Sequence, residues 1–379
     1  MKTSFFHIVY GILAVALMLL VSCAGEELLE SSGDRPDGET MLAVSFRTPE
    51  VRNTGNGGPY EEGVDFENYI DLDNNNFRIY FFDGDDNKFI TKFVPKTKIL
   101  VGGSEHRITG VVPEKITRYS RLKVVVLANW RDYGDGQIIP GTTTIDDICN
   151  AAWSKYGIME DFELGPDKKR LIPFYGIHEY RNVTFSKGKL TTLDTPVALL
   201  RAMAKVEVIL NMPKEADEAS VDICGYNAEG FCAPEGVYTH SDYDHGGNWD
   251  EDYVNSPHLT NNGSNDTGAT GRRKPFRRVL KGVGTQQWVA YLPEYQNVKG
   301  KDESYIEVRF GTRESYQIYF AKYKNGQIDG DERMDILRNN LYRYTGELKE
   351  DNSIVFSVTV DEFRVLPDEE IEWKKNKTN

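Results

Sequence analysis

Apolar and polar residues alternate with a period of two along most of this chain, the spacing of half-buried β-strands. Leu42, Val44 and Phe46 share one face of a first strand, which Thr48-Pro49 ends. Phe77-Arg-Ile-Tyr-Phe-Phe82 is a second strand, and Asp83-Gly84-Asp-Asp-Asn87 reads as the turn that returns it through Lys88 to Val94. Arg121 to Asn129 is nearly apolar throughout, so it is expected at the centre of a sheet, covered on both faces. From Thr144 the period changes. Thr144 is the expected N-cap of a short helix with Ile145, Ile148 and Ala152 on one side.

The clearest strand of the middle runs from Leu200 to Leu210. Ala204, Val206, Val208 and Leu210 point one way, Lys205 and Glu207 the other. The second half repeats the style in 288–292, 305–310, 316–323, 340–345 and 353–360, with Asn325-Gly326 as a hairpin signal. Asp242 to Gly271 is a long polar loop. Many short strands and few helices predict an all-β chain of two tandem antiparallel β-sandwiches. The expected division is residues 41–195 and 196–379, with the junction near Leu193 to Pro196.

The first forty residues follow another pattern. An apolar run from Phe5 to Val21 behind Lys2 is a targeting segment, residues 1–22, and not part of the fold. It ends in Leu20-Val-Ser-Cys23, which resembles the bacterial lipobox, in which small residues precede the cysteine that receives lipid. Acylation of Cys23 would hold the chain on the outer membrane, since stable anchoring takes more than one acyl chain. Residues 23–40 form an acidic tether with Glu26, Glu27, Glu30, Asp34, Asp37 and Glu39 opposed by Arg35 alone. Such a composition does not fold.

The 379 residues carry a formal net charge of −14, which excludes nonspecific binding to nucleic acid. Cys224 and Cys232 are candidates for a disulfide in an oxidising compartment, leaving Cys149 odd. Catalytic signatures are missing: there is no Gly-x-Ser-x-Gly, no phosphate-binding loop, and no second histidine after His178-Glu179. His240 and His245 bracket a polar loop tip without implying ligand geometry. The calcium-like start at Asp71 and Asp73 fails at Asn76 and Phe82, where glycine and glutamate belong. No enzyme activity, metal or cofactor is implied. Gly271 to Arg278 carries five basic residues in eight and reads as a solvated loop or as a patch for an acidic partner.

Taken together and in order, five pieces resemble the fimbrillin family of Bacteroidales, the FimA/Mfa-like pilins. They are the lipobox with its tether, Phe77 to Asp83, Leu122 to Asn129, Leu200 to Val206, and Ile336 to Tyr342. The resemblance spans nearly the whole chain. It implies transthyretin-like sandwiches, export as a surface lipoprotein, and assembly into fimbriae with other fimbrial subunits. It also implies that an arginine-specific protease cuts behind the first strand, after Arg47 or Arg52, so that a neighbour's strand replaces Leu42, Val44 and Phe46. The expected donor is extended, alternating and C-terminal: Ile354, Phe356, Val358 and Val360 fit, as does Phe363 to Trp373. The alternative is a surface lipoprotein, fimbrial anchor or tip that binds glycan or host protein.

Overall fold

The computed structural model describes residues 38–48, 67, 69–72, 76–102, 105–130, 137–151, 155–157, 171–211, 219–234, 259–261, 273–281, 284–300, 303–310, 315–324, 327–348, 354–361 and 369–372. The first half holds β1 (Met41–Arg47), β2 (Phe77–Asp83), β3 (Phe89–Lys92), β4 (Thr97–Gly102), β5 (Glu105–Val111), β6 (Leu122–Ala128), α1 (Ile145–Cys149), β7 (Lys155–Gly157), β8 (Phe174–Tyr180), β9 (Leu190–Ala198) and β10 (Leu200–Arg201). They make a sheet β4-β5-β1-β9 and a sheet β10-β8-β6-β2-β3. Leu42, Val44 and Phe46 of the first meet Phe77, Ile79, Phe81, Val124 and Val126 of the second in one core.

All seven residues of β6 are buried, as its apolar run predicts. The reason is a third layer. Val125 and Leu127 face away from the sandwich core and pack with Trp130 and with Ile145 and Ile148 of α1. That helix starts where Thr144 caps it: the Thr144 hydroxyl accepts from the Asp147 amide, and the Asp147 carboxylate accepts from the Thr144 amide. The β2–β3 hairpin turns at Asn87, whose φ is 59°. Gly84 in this turn lies against Arg121 so closely that a Cβ would sit 2.3 Å from its Cγ, so no larger residue fits there without a shift.

On β8, His178 is mostly buried, and desolvation pulls its pKa down to about 4 against a weaker pull from Glu179. Burial also works against the Glu179 carboxylate, but hydrogen bonds from Arg121 and Arg181 outweigh it and keep that carboxyl below its ordinary range. Between pH 6.5 and 4 the unfolded chain therefore takes up a proton at this histidine that the folded chain refuses. Stability should fall as pH drops through that window, by up to about 3 kcal/mol. The Glu179 contribution is lost only at lower pH, through and below the ordinary carboxylate range. Urea unfolding of wild type and His178→Gln at pH 7 and pH 4.5 checks this: the variant should lose less stability between the two.

The second half holds β11 (Met203–Asn211), β12 (Ala219–Cys224), β13 (Glu229–Phe231), β14 (Thr260–Asn261), β15 (Arg273–Pro275), β16 (Arg277–Lys281), β17 (Thr285–Pro293), β18 (Tyr295–Gln296), β19 (Tyr305–Phe310), β20 (Ser315–Tyr319), β21 (Tyr323–Lys324), β22 (Gln327–Ile328), β23 (Leu341–Leu348), β24 (Ile354–Asp361) and β25 (Glu369–Glu372). Its sheets are β16-β17-β11-β23-β24-β25 and β15-β12-β19-β20. Ala204, Val206, Val208 and Leu210 of one sheet pack on Val221, Ile223, Ile306 and Val308 of the other. The hairpin expected at Asn325-Gly326 is flanked by the antiparallel pair β21–β22, while those two residues lie outside the described ones.

The two halves are built alike. β1 lies between antiparallel β5 and parallel β9, and β11 between antiparallel β17 and parallel β23. The partner sheets run β3-β2-β6-β8 and β15-β12-β19-β20 in matching order. The two parallel pairs refine the antiparallel expectation. Between β1 and β9, as between β11 and β23, the chain crosses the opposite sheet before returning, and a parallel pair needs such a crossover. The second sheet then carries β24 and β25 beyond β23, where β9 is an edge.

Other expectations are corrected. The division at 195/196 falls inside β9; the chain leaves the first sandwich at Arg201 and enters the second at Met203. Pro196 reads as a break in sequence, yet an edge strand tolerates a missing N–H. The basic run 271–278 does not form a solvated loop where it is described. Its residues enter β15 and β16 around buried Phe276, Arg273 pairs with Glu307, and the Arg278 guanidinium lies 5.3 Å from the Trp288 ring centroid. Cys224 and Cys232 form no disulfide. Both are buried and outside any disulfide, as is Cys149. Cys224 ends β12 near Arg273 and Tyr305, whereas Cys232 packs in the cluster around Trp130.

Candidate functional site

The first strand is the feature on which a functional reading turns. Leu42, Ala43, Val44 and Phe46 are each 0% exposed and Ser45 is 3% exposed, so β1 is interior on both faces. Alternation sends Leu42, Val44 and Phe46 into the sandwich core, and the small Ala43 and Ser45 take the other face. The Ser45 hydroxyl accepts from Arg107 Nε at 3.3 Å. Phe46 packs on Phe77 with ring centroids 5.1 Å apart and stacks on His106 at the same distance, the planes 9° apart. Burial lowers the His106 pKa, so the ring stacked on Phe46 is neutral at pH 7.

Backbone bonding encloses the strand equally. β1 is registered against β5 from Met41↔Val111 to Arg47↔Glu105, and against β9 from Met41↔Leu190 to Arg47↔Ala198. Arg47 is half-buried, its carbonyl accepts from the Leu199 amide at 2.9 Å, and the next residue, Thr48, is 3% exposed. A protease needs an extended, free stretch around the bond it cuts. The Arg47–Thr48 bond is therefore shielded while the sheet is intact. Arg52 and Cys23 lie outside the described residues.

The sheet edge next to β1 is a poor place to add a strand. β9 carries exposed Asp194 and Thr195 followed by Pro196, and its register with β1 shifts between Val44 and Phe46. A charge, a proline and a bulge are the devices that blunt an edge. A strand arriving at this sheet therefore finds complementary pairing on both sides only where β1 lies.

The C-terminal strands are placed in the other sandwich. β24 pairs with β23 along its whole length, from Leu341↔Asp361 to Leu348↔Ile354, and with β25 on its far side. β25 has β24 as its only partner strand among the described residues, from Val355↔Glu372 to Val358↔Glu369. Thus Ile354, Phe356, Val358 and Val360 sit in a strand held on two sides. The segment with Glu369–Glu372 is held on one. Neither is brought next to β1.

The pattern of the sequence did not reveal what binds the two halves together. Lys205 and Glu207 do point away from the second core, but both are buried. Lys205 Nζ lies 2.8 Å from Glu67 Oε1, the Tyr291 hydroxyl donates to the same carboxylate, and Arg201 Nε donates to the Glu67 carbonyl at 2.9 Å. Glu207 accepts from Arg343 Nε at 2.6 Å and from Gln287. Charged residues inside an alternating strand were the one available signal. The calcium-like Asp71 is part of loop closure: its amide donates to Asn129 Oδ1 at 2.8 Å and its carboxylate accepts from Asn76.

These are two β-sandwiches of one topology, the first closed by an interior N-terminal strand. No family model matches the chain, and no curated protein matches it. Solved structures do. The tip fimbrial protein Mfa3 from Porphyromonas gingivalis, with a C-terminal truncation, is similar at 14% identity over 88% of this chain and 100% of that one, with a TM-score of 0.46. A fimbrial assembly protein from Parabacteroides distasonis is similar at 14% identity over 87% of this chain and 99% of that one, with a TM-score of 0.39.

Proposed function

We propose that this chain is a structural subunit of cell-surface fimbriae, exported as an outer-membrane lipoprotein on Cys23 and assembled by strand replacement. The observation that carries the reading is the state of β1. It is a short strand, buried on both faces and paired on both edges, that lies between the tether and Arg52. An arginine-specific protease that cuts at Arg52 frees β1 together with the lipid. The remaining sandwich has a groove lined by core residues and two unpaired strand edges, and it accepts an extended segment from another subunit. Arg52 is the favoured bond over Arg47, because the latter is shielded in the sheet.

The donor is C-terminal. Releasing β25 breaks one ladder, whereas releasing β24 breaks two, so Phe363 to Trp373 is the segment more cheaply mobilised. Deleting Asp361 to Asn379 should leave a folded monomer and abolish polymer. Undiminished polymer in that variant sinks the donor assignment. The direct test of the whole reading is to treat purified precursor with a trypsin-like, arginine-cutting protease. Loss of the N-terminal segment followed by SDS-resistant ladders is the expected result; a cut chain that stays monomeric overturns it.

A further inference from the structure

A cleft of about 720 Å³ opens at the outer edge of the first sandwich, away from β1. Its walls are the β2–β3 turn, the segment from Glu114 to Tyr119, and the loop at Pro140-Gly141. We propose that this cleft is a binding site for a neutral saccharide. It is a function additional to assembly and does not rest on strand replacement, since no residue of β1 lines it.

The size lies within the range of small-molecule sites, roughly 300–1,000 Å³. The lining decides the class of ligand. Three carboxylates, of Asp83, Asp86 and Glu114, stand against three cations, of Lys88, Lys115 and Arg118. The formal charges cancel, and Lys88 is already bound to Asp86 at 2.9 Å. Such a cleft has no net charge with which to draw in a phosphate, a sulfate or a metal ion. It does offer acceptors beside donors, which suits vicinal hydroxyl groups that both donate and accept. Tyr119 supplies an aromatic ring, and the Arg118 guanidinium lies 5.0 Å from its centroid. Arg118 also donates to the Tyr119 hydroxyl at 2.9 Å, so the planar donor and the ring are held as one unit.

The walls are fixed before any ligand arrives. The Phe89 amide donates to the Thr143 carbonyl at 2.7 Å, and the Gly141 amide donates to the Phe89 carbonyl at 2.8 Å. The Thr117 hydroxyl donates to the Glu114 carbonyl at 2.8 Å. Little ordering remains to oppose binding, which favours affinity. The charged lining is solvent-facing and carries no part of the core, so it can be altered without unfolding the sandwich: Glu114, Lys115 and Arg118 are exposed.

The test uses the purified full-length chain and a panel of neutral, sialylated and sulfated oligosaccharides. Saturable binding to neutral members is expected, and the double variant Glu114→Ala/Arg118→Ala should weaken it at least tenfold. Lys322→Ala, at an exposed residue of the second sandwich, should leave it unchanged. Three outcomes overturn the proposal. They are no saturable binding to any neutral member, preference for the sulfated or sialylated members, and binding that the double variant retains. Circular dichroism of the double variant establishes that its fold is intact.

Discussion

Excising β1 should leave a first sandwich that cannot hold its fold as a monomer. Three fully buried side chains, Leu42, Val44 and Phe46, go with the strand. At roughly 1.5–3 kcal/mol each, that removes on the order of 5–9 kcal/mol. A whole domain is stable by only about 5–15 kcal/mol. The loss also uncovers both neighbouring strands, β5 and β9, over the length of the register. A specific protease site inserted behind Arg52 makes the measurement clean. After cutting and removal of the segment, thermal unfolding of the first sandwich should shift sharply downward or disappear. Added peptide spanning residues 41–48 should restore it. An unchanged transition in the stripped chain would mean that β1 is dispensable, and the assembly reading would fail with it. Phe46→Ala in the intact chain is the milder form of the experiment and should cost about 3–5 kcal/mol.

The second large effect lies in the other sandwich. Arg338 and Glu294 are each 1% exposed and pair at 2.8 Å. Arg338 also donates to the carbonyls of Phe231, Cys232 and Ala233, at 3.1, 2.8 and 2.9 Å. Arg338→Ala should destabilise the chain by about 3–5 kcal/mol, because Glu294 is then buried without its partner. Urea unfolding followed by circular dichroism measures this. Arg338→Met/Glu294→Gln should recover part of the loss, since no lone charge remains. Recovery should stay incomplete, because the three carbonyls keep no donor from this side chain. A single variant as stable as wild type would show that the pair carries no weight in the fold.

Much of the architecture was legible from residues alone, and for a consistent reason. Alternation identified β1, β2, β11 and β17 because each has one face on a core, and side chains of a strand point to opposite faces. The nearly apolar run of β6 correctly predicted cover on both sides. Thr144 announced α1 through the chemistry of its cap. Errors arose where a local signal was answered by a distant partner. Pro196 read as a boundary but sits in an edge strand. The basic run read as a loop but enters β15 and β16, where exposed Arg273 pairs with Glu307 and Arg278 lies over Trp288. An oxidising compartment made Cys224 and Cys232 disulfide candidates, although Cys224 ends β12 near Arg273 and Tyr305 while Cys232, just after β13, packs in the cluster around Trp130.

The candidate site divides in the same way. Leu42, Val44, Phe46 and the two arginines behind them could be marked in advance, since alternation and cleavable residues are local properties. That β1 is enclosed on both edges, with β9 parallel to it and Arg47 locked by Leu199, could not. Those facts depend on which strands become neighbours, and pairing joins residues about 150 positions apart in sequence. The cleft between Asp86 and Tyr119 was invisible for the same reason, being made from three separate turns. The sequence by itself determined a β-rich chain with an alternating first strand, and it supplied the residues, Cys23 and Arg52, on which the proposed lipidation and cleavage rest. Only the tertiary structure decided that this strand fills the interior of a sheet, because burial and strand pairing are properties of the assembled sandwich and not of any segment.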